Sequence, residues 1–318
     1  MPPKPLAYNA VLTRRDDFTP ELTTFHVRYD DHSATNGEGG APPFVPGQYV
    51  AIGLNNDGRP ELGSVRRSMS LCSAPEQKDA YEFYIRYVKH PESDNPLTHL
   101  LWKMSVGDRI FMTRKPVGVF TIKNTVGEDD QRTAIFVAAG TGLAPFVSMV
   151  RSDVLRDPKI DLSRCVLLHG ASYPDDLCYR EELEKYAREN GLHYFRTISR
   201  PKEAPDWTGD VGRVEDYFRP ERLTELEKRI GLEPGGICPD RAGVLICGLQ
   251  GTIAETIMRL TPRGFVPDNR RIRKALEVPE DKASHVWWEQ YDTTPVIDIN
   301  DPALVGRLKD ELTSAGAR

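Results

Sequence analysis

The sequence predicts an α+β protein of two domains: an antiparallel β-barrel, residues 1–124, and a doubly wound parallel, Rossmann-like α/β domain, residues 132–318. Three observations carry this. Before residue 124 there are six or more short strand-like runs and one short helical run, a pattern that suits a small barrel. Residues 124–131 form a polar linker. Beyond it strands and helices alternate, as in a parallel sheet covered on both faces. The 318 residues are enough for about two separate cores.

Residues 8–30 alternate apolar with polar and read as two strands with a turn near Asp16-Asp17. Residues 30–43 are polar and rich in Gly and Pro, which predicts a loop. Pro46-Gly47-Gln48-Tyr49 opens a strand to Leu54; residues 64–71 and 81–88 are further strands, the second alternating cleanly. Residues 96–104 read as a short helix with Asn95 as N-cap. Residues 106–112 and 118–122 each add a strand. In the second half, strands fall at 134–139, 165–170, 193–198 and 243–247. Helices fall at 144–155, 181–189, 213–218, 223–230 and 252–260. Residues 261–286 are basic and irregular, and 285–290 return as a last strand. Asp301-Pro302 opens a terminal helix and tail.

Composition narrows the function. A net charge of −5 argues against general nucleic-acid binding. No apolar run reaches the ~18 residues of a membrane span, and the first twenty residues lack a signal core. Five cysteines, an odd number without C-x-x-C spacing, argue against a disulfide framework, a zinc site or a built-in iron–sulfur cluster. No metal is expected, and a reducing cytoplasmic location fits.

Several segments could carry chemistry. Gly140-Thr141-Gly142-Leu143-Ala144-Pro145-Phe146 joins a strand to a helix, aiming backbone N–H groups at a point that suits a phosphate. Pro145 stands where a third glycine of G-x-G-x-x-G would be, so alone the segment is equally a plain strand–turn–helix. In Arg67-Ser68-Met69-Ser70, Arg67 and Met69 share one strand face and the serines the other. The arginine can pair with a pyrophosphate. Alone, the segment reads first as an edge strand with an exposed arginine and solvated serines. Arg200 after Ser199 and Arg213 after Gly212 could converge on a phosphate dianion, although Asp206 and Asp210 lie between them. Cys247-Gly248 ends a strand, where cysteine is commonly just a small buried hydrophobe. Trp287-Trp288-Glu289-Gln290-Tyr291 is either core packing or an aromatic wall of a site.

Read in order, Pro46-Gly47-Gln48-Tyr49, Arg67-Ser68-Met69-Ser70, Phe83-Tyr84-Ile85-Arg86-Tyr87, Leu97-Thr98, Gly107-Asp108, Gly118-Val119-Phe120, the Gly140 segment and Cys247-Gly248 form a series. It resembles the ferredoxin–NADP⁺ reductase family of flavoproteins over roughly residues 8–292. The resemblance implies a Greek-key FAD-binding barrel and an NADP-binding α/β domain. It implies an enzyme that passes electrons between NADPH, as hydride, and a one-electron carrier such as ferredoxin or flavodoxin.

The resemblance also implies roles. Arg67 would bind the FAD pyrophosphate and Ser70 would approach flavin N5, with Ser68 and Met69 in the same motif. Met69 stands where the family usually has tyrosine, and a thioether can still pack on a ring. Tyr84, Ile85 and Arg86 fall on the strand that meets the AMP half or ribityl chain, and Leu97 and Thr98 on a helix start facing the pyrophosphate. Thr141 and Gly142 would hold the NADP pyrophosphate, and Ser199, Arg200 and Arg213 the adenosine 2′-phosphate. Cys247 and Gly248 would lie beside the nicotinamide, Cys247 positioning rather than attacking. Glu289 is a candidate proton relay, Trp288 or Tyr291 the ring that stacks on flavin, and Tyr179 either a neighbour of the NADP site or an ordinary packed tyrosine. Arg66, Lys89, Arg114, Lys115 and the basic run 270–274 could steer an acidic carrier. Two other roles stay open: an electron-transfer or non-catalytic subunit of a larger complex, and a reductase for a cytochrome or oxygenase.

Overall fold

The alternating runs of the first half become six strands in the computed structural model, which describes residues 5–30, 42–157, 159 and 161–316. The loop expected at 30–43 falls almost entirely outside the described residues. By packing the chain divides into two units: Met1–Thr121 with Ala144–Ile160, and Ile122–Leu143 with Asp161–Arg318.

In the first unit, β1 (Ala10–Thr19), β2 (Leu22–Tyr29), β3 (Tyr49–Asn55), β4 (Ser64–Ser70), β5 (Tyr81–Arg86) and β6 (Arg109–Met112) run antiparallel in the order β4-β3-β6-β1-β2-β5. The neighbours β3, β6 and β1 are distant in sequence, the return connection of a Greek key. Leu12, Phe25, Val50, Ile52, Phe83 and Ile110 meet in one barrel core.

Four expectations for this unit are corrected. The β1–β2 turn lies at Pro20-Glu21, not Asp16-Asp17. Asp17 is held inside the strand pair by Thr23 Oγ1 (2.6 Å) and Arg15 Nε (2.9 Å). The helix is only α1 (Leu97–Leu101) and Asn95 does not cap it: its side chain accepts from Asn56 Nδ2 (2.8 Å) and donates to the Leu62 carbonyl (3.3 Å). Residues 118–122 form no strand; the pairing there is one bridge between Tyr49 and Val117. Finally, β5 has no solvent face, since Glu82 and Tyr84 are buried as well as Phe83 and Ile85. Helix α2 (Ala144–Leu155) belongs to this unit, and its Arg151 pairs with Glu82 at 2.5 Å. Ser148 Oγ on the same helix donates to the Ser73 carbonyl (2.6 Å).

In the second unit, β7 (Thr133–Ala139), β8 (Cys165–Ala171), β9 (His193–Ile198), β10 (Asp210–Val211), β11 (Ala242–Gly248) and β12 (Val286–Gln290) are parallel, in the order β10-β9-β8-β7-β11-β12. Its helices are α3 (Arg180–Asn190), α4 (Pro220–Arg229), α5 (Gln250–Leu260), α6 (Arg270–Ala275) and α7 (Pro302–Ser314). The chain starts in the middle at β7, builds outward to β10, then returns to β11. The ends of β7 and β11 therefore mark the switch point where such sheets bind ligands. Asp301 caps α7 through the Ala303 (2.9 Å) and Leu304 (3.2 Å) N–H groups. Leu308 and Leu312 of α7 join the core with Val137, Leu168, Ile246 and Ile257.

The stretch expected to be irregular contains α6, because the Asn269 side chain accepts from the Arg271 and Ile272 N–H groups, each at 3.1 Å. Residues 213–218 give a 3-10 turn, Val214–Phe218, and strand β10 was not anticipated.

Candidate functional site

Strand β7 ends in a tight 3-10 turn, Gly140–Leu143, at the switch point. Gly140 has φ +57°, a conformation that favours glycine, and nothing lies within 4 Å of where its Cβ would be. Gly142 differs. A Cβ there would sit 2.1 Å from the Cys247 carbonyl oxygen, so this glycine is required by the passage of β11. Gly140 is the open position of the turn.

The same turn is tied to the last strand. Tyr291 OH donates to the Thr141 carbonyl (3.3 Å) and accepts from the Cys247 thiol (3.2 Å). Glu289 is the register partner of Cys247, its Oε2 3.9 Å from Sγ. Burial, and then the Glu289 carboxylate, push the Cys247 thiol well up, so it stays protonated. That chemistry suits a positioning group, not a nucleophile. Trp287 is buried and Trp288 packs on the sheet core, whereas Tyr291 is 45% exposed.

Two strands away, register fixes the row from which both arginines leave the sheet. Ala171 of β8 pairs with Ile198 of β9, and Ile198 with Val211 of β10. Arg200 and Arg213 each lie two residues past that row, at the C-terminal edge of the sheet. Ser199 and Arg200 are exposed, and Arg213 is 73% exposed, its Nη1 3.8 Å from Glu215. Asp210 accepts from Tyr217 OH (2.6 Å) and Arg229 (2.8 Å), which occupies it structurally.

Tyr173, also two residues past that row, was missed by the sequence reading. Arg200 Nη1 donates to its hydroxyl (2.7 Å) and the guanidinium lies over its ring, 5.4 Å from the centroid. Its position straight after a parallel strand was the available signal. Tyr179 is buried, with φ +61°, at the start of α3.

In the barrel unit, Arg67 and Met69 lie opposite Ile52 and Val50, while Ser68 and Ser70 lie opposite Ala51 and Tyr49. The two faces alternate as expected. Arg67 and Ser68 are exposed, Met69 is half-buried against the core, and Ser70 is buried. Arg67 thus presents an exposed guanidinium and Ser68 an exposed hydroxyl from a fixed strand. Ile85 and Leu97 point into the barrel core, so only their backbone could face a ligand. Tyr84 is buried edge-on against Phe18, Arg86 lies 3.9 Å from Glu21, and Thr98 Oγ1 accepts from the Val88 N–H (3.3 Å). Among the described residues no group of three His, Cys, Asp or Glu is placed to hold a metal ion.

A model of the oxidoreductase NAD-binding domain matches residues 136–257, from β7 through α5. The ferredoxin–NADP reductase of Pseudomonas aeruginosa is 31% identical over 250 residues, spanning 73% of this chain and 86% of that protein. The chain belongs to the ferredoxin–NADP reductase family. The member from Azotobacter vinelandii is 28% identical over the same share of each chain. A ferredoxin NADP⁺ reductase from Neisseria gonorrhoeae, solved with bound FAD and NADP, has the same fold: TM-score 0.67 at 20% identity, over 89% of this chain and 97% of that one.

Within this ferredoxin–NADP reductase family member the basic positions proposed for steering are not equivalent. Lys89 is drawn to Glu21 (2.5 Å), Arg114 lies over the Tyr29 ring, and Arg273 folds back onto the Pro279 and Lys282 carbonyls. Arg66 and Lys115 in the barrel unit, and Arg270, Arg271 and Lys274 on α6, are exposed.

Proposed function

We propose that the protein is an FAD-dependent oxidoreductase that passes electrons between NADPH and a one-electron carrier, ferredoxin or flavodoxin, as the names of its relatives indicate. Residues 1–124 would hold FAD and residues 132–318 NADP(H). The observation that carries the nucleotide choice is that Arg200 and Arg213 each follow the paired residues Ile198 and Val211 by two positions, exposed at the C-terminal edge of the sheet. Two guanidiniums there suit a 2′-phosphate, and Asp210, turned to Tyr217 and Arg229, does not offer its carboxylate to a ribose diol.

Bound flavin supplies a ring that takes a hydride from nicotinamide and gives up electrons singly. The chain's part is to bind and orient. Arg67 would neutralise the FAD pyrophosphate, Ser68 and Ser70 would offer hydroxyls, and Met69 would offer its thioether to the flavin ring. Tyr84 and Arg86, with the backbone of Ile85, Leu97 and Thr98, line the ribityl and pyrophosphate side. Gly140, Thr141 and Gly142 present backbone to the NADP pyrophosphate, and Ser199 assists Arg200. Cys247, Gly248 and Tyr291 form a neutral wall for the nicotinamide. Exposed Tyr291 is better placed than half-buried Trp288 to offer a ring, and Glu289 is the acid closest to Cys247. Arg66 and Lys115 would steer an acidic carrier transiently, in the cytoplasm. Steady-state dye reduction tests the reading: NADPH should be strongly preferred to NADH, and equal use of the two would contradict it.

A further inference from the structure

The row that precedes Arg200 and Arg213 continues onto a third strand. Ala171, Ile198 and Val211 are paired across β8, β9 and β10. Tyr173, Arg200 and Arg213 each stand two residues further on, at the edge where parallel sheets bind ligands. The Ser199 and Arg200 N–H groups donate to the Ala171 (3.0 Å) and Ser172 (3.2 Å) carbonyls, so the β8–β9 spacing is maintained up to this edge.

The two arginines are held differently. Arg213 is 73% exposed, with Glu215 at 3.8 Å. Arg200 is exposed but fixed. Its guanidinium lies over the Tyr173 ring, 5.4 Å from the centroid, and one N–H reaches the Tyr173 hydroxyl at 2.7 Å. That hydroxyl in turn donates to Glu203 Oε2 at 2.9 Å, which fixes the phenol. A guanidinium has five N–H donors, and this bond uses one, leaving a fork for a phosphate. A side chain already held in place gives up less freedom when the ligand arrives.

We propose that Tyr173 is a positioning residue that presents Arg200 to the adenosine 2′-phosphate and so sets the preference for NADPH over NADH, with Glu203 orienting its hydroxyl. The inference rests on the assignment of Arg200 to that phosphate. It adds a residue that touches no reacting atom and acts through its neighbour.

The test uses the whole protein with its flavin and compares Tyr173→Leu, Tyr173→Phe, Arg200→Ala and the Tyr173→Leu/Arg200→Ala double variant. KM and kcat are measured with NADPH and with NADH. Tyr173→Leu should raise the KM for NADPH about three- to tenfold, the range of a lost cation–π contact, with kcat and the KM for NADH unchanged. Tyr173→Phe, which keeps the ring, should fall between Tyr173→Leu and wild type. The double variant should be no worse than Arg200→Ala alone, because the tyrosine acts only through that arginine. An unchanged KM for NADPH in Tyr173→Leu, a rise shared with NADH, or additive losses in the double variant overturns the inference while leaving the Arg200 assignment intact. If Arg200→Ala itself affects NADPH and NADH equally, the assignment falls and the inference falls with it.

Discussion

Gly140 and Gly142 are two positions apart and do different work. Gly142→Ala drives a methyl group into the Cys247 carbonyl, a backbone atom that cannot swing aside. It should cost about 1–3 kcal/mol or more in urea unfolding, as overpacking does. Gly140→Ala meets no neighbour, and its left-handed backbone should cost about 1–2 kcal/mol. Its larger effect should be a raised KM for NADPH. An unchanged KM would remove Gly140 from the pyrophosphate site. Ser70→Ala should leave FAD bound and slow the hydride step about a hundredfold in stopped-flow single turnovers, the low end for loss of one preorganised donor. An unchanged rate takes Ser70 out of that role. At this scale the sequence was legible where a motif fixes a backbone position, as in the alternation of Arg67 to Ser70 along β4. It was not legible where a side chain's partner comes from another strand. Tyr173 and the clash behind Gly142 both depend on a neighbouring strand's register, which no local pattern encodes.

Among the elements, α2, β8 and the approach to β12 carry titratable groups whose burial should show in pH dependence. Asp153 on α2 has its carboxyl pushed up to about 6 by burial, against 3.8 in an open chain. Between those values the folded protein holds a proton the unfolded chain releases, so this contribution is largest below 3.8 and lost as pH rises through about 6. Asp153→Asn should therefore stabilise the protein at pH 7.5 by about 1–3 kcal/mol, read by urea midpoints; no gain would show that the carboxylate is well solvated. His169 and His285 act in the opposite direction. Burial holds them at about 3 and about 4, so the unfolded state binds more protons below the ordinary histidine value of 6.5. Their contribution is complete above 6.5 and declines as pH falls toward 4, by up to about 1.4 kcal/mol per unit for each. A flat stability between pH 7 and 5 would contradict this. The long elements were legible because apolar periodicity sets them. The two-residue β10 is too short to have a period, and α6 was hidden by its charge although Asn269 was there to cap it. β5 looked half-polar because its second face is closed by a helix some sixty residues away in sequence, through Arg151 and Glu82.

Over the whole molecule, the order of motifs was readable because each unit is built from local strand and helix signals in sequence order. The assignment of α2 to the barrel unit was not, since it depends on tertiary packing. Exposed Arg66 and Lys115 lead to a prediction for carrier reduction. Replacing both with glutamate should weaken the salt dependence of the rate and lower kcat/KM for the carrier several-fold, with dye reduction unchanged. Loss of dye reduction as well would mean that these side chains do more than steer. The central claim, an enzyme that moves electrons from NADPH through FAD to a protein carrier, is tested most directly by one anaerobic titration. The purified yellow protein is mixed with NADPH and oxidised ferredoxin or flavodoxin, and the visible spectrum is followed. NADPH should bleach the bound flavin, and catalytic reduction of the carrier should follow. A colourless protein that cannot be reconstituted with FAD, or a bound flavin that NADPH leaves oxidised, would contradict it.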